Sequence, residues 1–144
     1  MKRTAPVKKI VGFALGSLGR SEHSIFQHLA ALKIARKLEK IYQRAGMPVN
    51  KSIEIFAQDP AYTPNGIKIL ARFKPPITVL NDPQAFLVIT SSTLMMACCP
   101  TVPVKQIVAD LSAEDPSTRP AAIFWNNSEF DKQLGVDVVK YPVH

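Results

Sequence analysis

The chain has 144 residues, 47% of them hydrophobic and 20% charged, the composition of an ordinary globular protein and the length of one domain. A chain of this size buries roughly 68–70% of its unfolded surface and needs neither disulfide nor metal to fold; its two cysteines, adjacent at Cys98 and Cys99, exclude a disulfide framework and a zinc site made of thiols alone. The net charge of +7 is uneven, with 14 Lys/Arg against 4 Asp/Glu in residues 1–74 and 4 against 7 in residues 75–144.

Residues 1–7 read as a loose basic arm, and residues 8–144 as a single α/β domain. Lys8–Leu15 is a continuous apolar run, the pattern of a strand covered on both faces, and it enters a glycine turn over Gly16-Ser17-Leu18-Gly19. Ser24 and Gln27 fit a capping box opening a helix that runs to about Arg44. Ile25, Leu29 and Leu32 form one apolar row on it, and Ile34, Leu38 and Ile41 form another. Lys33, Arg36, Lys37, Lys40 and Arg44 fall opposite as a solvated face, and Gly46 and Pro48 stop the helix.

Ser52–Ala57 is the second strand, ending at Gln58-Asp59-Pro60. Thr63 caps a helix with Pro64 at its first position, which runs to about Phe73. Pro75-Pro76 breaks the chain before a short strand, Ile77–Leu80. In residues 81–92, Asp82-Pro83 opens a short helix or Phe86–Ile89 forms a strand. Thr93–Cys98 is a buried strand closed by Pro100. A helix from about Pro103 to Leu111, a polar loop over Ser112–Pro120, a strand over Ala121–Trp125 and a weak strand over Val136–Val139 complete the chain. Strands alternating with helices imply right-handed crossovers. The expected fold is a three-layer, Rossmann-like α/β sheet of about five mainly parallel strands with helices on both faces.

Several segments, in order, resemble the sensitivity-to-red-light-reduced domain family. Val11-Gly12-Phe13-Ala14-Leu15-Gly16-Ser17 is similar to its apolar strand ending in Gly-x-Gly-Ser. Gln27 stands where the family has a glutamine at the start of the first helix. Asp59-Pro60-Ala61-Tyr62-Thr63 resembles its Asp-Pro-x-aromatic-Ser/Thr, Thr93-Leu94-Met95-Met96 its Thr-Leu-aromatic-aromatic strand, and Asn127-Ser128 the Asn-Ser after the last strand. The resemblance covers roughly residues 8–130 and points to a fungal-type member. The chain departs from the pattern twice. Ala14 replaces the leading glycine of Gly-x-Gly, and Cys99 occupies the position of a histidine in the family's Pro-His-Cys or Leu-His-Cys. The resemblance implies a regulatory protein, associated with circadian rhythm and light signalling and in some members with haem metabolism or cytoskeletal phenotypes, with no established catalysis.

The candidate site follows from where ligands bind in open α/β sheets, beyond the carboxyl ends of the strands. Gly16, Ser17 and Gly19 offer backbone N–H groups at a helix N-terminus, where phosphate or carboxylate is favoured, with Arg20 and His23 beside them. The same glycines also serve a plain strand-to-helix turn. Asp59 ends the second strand as a ribose-binding acid would, although about 40 residues after Gly19 rather than about 20; it also suits a turn aspartate. Gln27, Tyr62, Cys99, Asn127 and Ser128 complete the set. Cys99 is either a thiolate near the next helix or a buried inert thiol.

His28 and His144 lie in no cluster of ligand spacing, so no metal is expected. No cofactor is named by the sequence. Two readings stay open: a regulatory ligand-sensing or protein-interaction domain, or a methyltransferase-like transferase binding a nucleoside-containing cofactor such as S-adenosylmethionine at the Gly16–Gly19 loop and Asp59. The expected partner is a regulatory protein or a small anionic or nucleoside ligand. Nucleic acid is not expected, since few aromatics accompany the basic charges. No apolar run approaches the roughly 18–20 residues that span a bilayer, and Met1-Lys2-Arg3 leads into no signal peptide. The expected location is cytoplasmic, nuclear or both.

Overall fold

The computed structural model describes residues 6–19, 22–47, 52–98, 104–126 and 137–139. In chain order these form β1 (Lys9–Phe13), α1 (Glu22–Arg44), β2 (Glu54–Gln58), α2 (Pro64–Ala71), β3 (Ile77–Val79), α3 (Gln84–Leu87), β4 (Thr93–Cys98), α4 (Val104–Glu114), a 3₁₀ turn at Pro116–Thr118, β5 (Ala122–Asn126) and β6 (Asp137–Val139). The sheet order is β3-β2-β1-β4-β5-β6. The first five strands are parallel, and β6 pairs antiparallel with β5.

Period-two alternation divides the strands between two apolar layers. Ile10 of β1, Ile55 and Ala57 of β2 and Leu94, Met96 and Cys98 of β4 meet Ala31, Leu32 and Ala35 of α1 and Leu70 of α2. On the opposite face Val11 and Phe13, Met95 and Ala97, and Ile123 meet Ala85 and Phe86 of α3 and Val104 and Val108 of α4. The molecule is therefore a three-layer α/β sandwich. Both central strands are buried throughout their apolar positions, which explains their unbroken hydrophobic sequence.

Local chemistry sets the ends of the elements. Thr63 caps α2, its hydroxyl accepting from Gly66 N–H at 3.1 Å, with Pro64 in the first turn. At the end of α1, Gly46 takes φ +73°; its N–H donates to the Gln43 carbonyl, and the Met47 N–H donates to that of Tyr42, the Schellman arrangement. Asp82-Pro83 does open a short helix, so Phe86–Ile89 is not a strand. The polar loop expected from Ser112 begins later, because α4 continues to Glu114.

Two expectations about α1 fail, the second in part. Its first described turn begins at Glu22, so Ser24 is not its N-cap and no capping box forms with Gln27. Ser24 is buried inside the first turn instead. The expected apolar rows hold only in part: Leu32 is buried and Ile34 and Leu38 pack against the core, with the five basic residues exposed as expected, but the rest of the rows is not buried. The helix buries Ser24, His28, Ala31, Leu32 and Ala35 and leaves Ile25, Phe26, Leu29 and Ile41 exposed. Small alanines let α1 lie close to the sheet, and the polar pair Ser24 and His28 takes the place that Ile25 and Leu29 were expected to fill.

Candidate functional site

The register sets the geometry of the site. Phe13 lies level with Gln58 and with Ala97, and Cys98 lies level with Asn126. The carboxyl ends of β1, β2, β4 and β5 thus share one rim of the sheet. The strand order reverses direction between β1 and β4, which is where open α/β sheets form a crevice.

At that rim β1 ends abruptly. Ala14 adopts φ +58°, a left-handed conformation that costs an L-residue roughly 1–2 kcal/mol. Its N–H donates to the Gln58 carbonyl at 3.1 Å, which holds the turn against β2. Gly16 follows at φ +84°, and a Cβ there would lie 2.4 Å from Ser24 Oγ. Gly16 is therefore demanded twice, by backbone conformation and by the packing of the first turn of α1. Gly19 is different, because a Cβ there meets nothing within 4 Å. Its lack of a side chain leaves open space rather than relieving a clash.

Asp59 joins the first two loops. Its Oδ2 accepts from Gly16 N–H at 2.9 Å, and its Oδ1 accepts from Ala61 N–H at 2.8 Å. The carboxylate thus ties the β1–α1 turn to the β2–α2 turn while fixing its own loop in an Asx turn. A neighbouring link runs from Gln58, whose Oε1 accepts from Ala85 N–H at 3.0 Å and whose Nε2 donates to Asp82 Oδ1 at 3.3 Å.

Near Asp59 lies a polar pair of one buried and one half-buried side chain, His28 and Tyr62. His28 is fully enclosed. Its Nδ1 faces the Ser24 carbonyl, which can only accept, so Nδ1 carries the proton and donates. Its Nε2 then accepts from the Tyr62 hydroxyl at 2.7 Å. Burial lowers the His28 pKa from its ordinary value, outweighing the raising effects of the Ser24 carbonyl and the Asp59 charge, and the neutral ring fits this hydrogen bonding. Tyr62 is pushed well above the ordinary phenol range by burial, with Asp59 and Cys98 adding to the effect. The two rings also meet edge-on, with centroids 5.7 Å apart.

An open space lies beside α1. A cleft of about 130 Å³ is lined by Gln27, Ala30 and Ile34 of α1, Met96, Ala97 and Cys98 of β4 and Phe124 of β5. Its walls are almost wholly apolar. The half-buried Gln27 is the one amide-bearing residue of its lining, and that side-chain amide makes no hydrogen bond among the described residues.

Of the residues singled out in the sequence, Gly16, Asp59 and Tyr62 are thus brought together in one network around His28. Gln27 faces the cleft, and Ser17 and Gly19 lie in the loop above. Arg20, Cys99, Asn127 and Ser128 lie outside the described residues, as does the side chain of His23. Sequence reasoning missed Ser24 and His28 as partners and Met96 and Phe124 as cleft walls. The spacing of Ser24 and His28, one helical turn apart, was the signal for the first pair. Among the described residues no group of three His, Cys, Asp or Glu is placed to hold a metal ion, and no helix is long and apolar enough to cross a membrane.

Comparison with protein families brings in a match that spans nearly the whole chain: the SRR1 domain (sensitivity to red light reduced) aligns with residues 1–142. The chain belongs to the SRR1 domain family. No curated protein and no solved structure gave a significant match. Membership gives the sequence resemblance its footing. The glycine turn, the Asp-Pro-x-aromatic-Thr segment and the first-helix glutamine of this SRR1 domain form the rim and cleft described above. Ala14, which departs from the resembled glycine pattern, keeps the left-handed backbone that glycine adopts readily.

Proposed function

We propose that this SRR1-family chain is a regulatory protein that senses a small ligand in the cleft between α1 and strands β4 and β5. The observation that carries the reading is the contrast between rim and cleft. At the rim, both oxygens of Asp59 and both ring nitrogens of His28 are engaged within the protein, so these groups serve to shape the loops. The cleft offers apolar walls and, in Gln27, one side-chain amide with no hydrogen bond among the described residues, the recipe of a recognition pocket with a single orienting polar group. Its size suits a small planar apolar group with a hydrogen-bonding edge turned to Gln27, since an apolar cavity of about 150 Å³ accommodates a benzene ring. A cytoplasmic or nuclear regulator fits the family.

A second reading has its own support. The parallel order β3-β2-β1-β4-β5 puts the Gly16–Gly19 loop at the switch point, where nucleoside-containing cofactors bind in doubly wound sheets. A methyltransferase-like transferase would use that loop and Asp59, with Asp59 releasing an amide to take a ribose hydroxyl. Fold analogy carries most of this reading.

A thermal-shift screen with indole, adenine, S-adenosylmethionine, dinucleotides and haem separates them. A saturable shift with a small ring compound, abolished by Ala30→Trp and retained in Asp59→Ala, supports the cleft. A shift with S-adenosylmethionine that Asp59→Ala abolishes and Ala30→Trp leaves intact supports the transferase. No shift with any compound overturns both.

A further inference from the structure

The outer face of α1 is a surface that no described element packs against. Ile25, Phe26 and Leu29 are 43%, 63% and 43% exposed, and they occupy the N-terminal half of the helix. Lys33, Arg36, Lys37, Lys40 and Arg44 continue the same face toward its C-terminus, all exposed. At about 100° per residue these eight positions fall within one arc of roughly 120°.

Two features set this face apart from an ordinary solvated helix. The first is its charge pattern. The pairs Lys33 and Lys37, Arg36 and Lys40, and Lys40 and Arg44 stand four residues apart with like charge, a spacing at which like charges repel and weaken the helix. An exposed helix normally interleaves both signs. Here Glu39 is turned aside, its Oε1 accepting from Ile53 N–H at 2.9 Å, and Arg36 donates to the Lys74 carbonyl at 2.8 Å, bringing a further lysine backbone beside the patch. The second feature is an apolar cluster at the other end of the same face, where polar side chains would serve a purely solvated role.

We propose that this face docks an acidic, amphipathic segment of another protein. The segment sets apolar side chains on Ile25, Phe26 and Leu29 and a run of Asp/Glu along the five basic residues. Charge complementarity selects the sign of the partner and relieves the repulsion within α1. The apolar cluster supplies the buried anchor that a purely electrostatic contact lacks. The face is roughly 28 Å long from Ile25 to Arg44, matching a partner helix of about 20 residues. Segregation of apolar and basic residues along the axis argues against a bilayer, which binds helices whose apolar stripe runs their whole length. Phosphate contacts with a nucleic acid would leave Phe26 unused. This inference is independent of the cleft, whose walls include none of these eight residues.

The test is a peptide-display selection on the full chain, followed by fluorescence anisotropy with the most enriched peptide. The expected result is enrichment of sequences that join an apolar cluster to an acidic run. Affinity should fall at least tenfold when the Debye length is shortened from about 14 to about 6 Å with salt. It should fall by a similar factor in Lys37→Glu/Lys40→Glu, and also in Phe26→Ser, with the melting midpoint of Phe26→Ser unchanged. Four results overturn the proposal: no acidic enrichment, peptide binding indifferent to the charge reversal, tighter binding to phosphatidylserine vesicles or duplex DNA than to the peptide, or self-association in light scattering that Phe26→Ser disperses.

Discussion

At the scale of single residues, the rim combines backbone strain with enclosed polar groups. Ala14 holds φ +58° without glycine's freedom. Ala14→Gly relieves that strain but enlarges the freedom of the unfolded chain, and the strain is the larger effect. The variant should gain roughly 0.5–1 kcal/mol in chemical denaturation. Asp59→Asn keeps the shape of the side chain but turns a donor toward one of two amides that need an acceptor. It should lose about 1–2 kcal/mol, with faster hydrogen exchange at Gly16 and Ala61. His28 gives a pH dependence. Burial depresses its native pKa below the ordinary 6.5, so below that pH the unfolded chain binds a proton that the native ring refuses. Stability should therefore fall as pH drops through 6.5 and stop falling once the lower native value is passed. Urea titrations at stepped pH should show this slope in the parent protein and lose it in His28→Gln.

At the scale of elements, most of the fold was legible because its signals are local. Thr63-Pro64, Gly46 and the unbroken apolar runs of β1 and β4 each report their own conformation. The exposure of Ile25, Leu29 and Ile41 on α1 was not legible. Both sides of the helix carry enough apolar residues to make a core, and the choice between them is made by distant partners. Tyr62 fixes His28, Ile53 fixes Glu39, and the Tyr42 hydroxyl accepts from Val7 N–H at 2.7 Å. Of the candidate site, Gly16, Asp59 and Tyr62 were legible as residues at strand ends, whereas the tie between Gly16 and Asp59 depends on tertiary packing. This burial pattern has a direct check. Leu32→Ala, which empties a buried position, should cost about 2–4 kcal/mol, while Leu29→Ala on the exposed side should cost less than about 1 kcal/mol.

At the scale of the whole molecule, the sheet is strongest at its centre. β1 and β4 are flanked by strands on both sides and buried on both faces, so native-state hydrogen exchange should be slowest at Val11 and Met95 and fastest in β3. The outer strand β3 is only three residues long, and Pro75 and Pro76 stand immediately before it. Such a blunt margin gives an incoming backbone little ladder on which to build. Growth by lamination, strand laid against strand, is discouraged at the β3 side. A neighbour arriving there meets side chains rather than a free ladder, so its selectivity is open to tuning by surface substitutions that leave the hydrogen-bonded scaffold untouched.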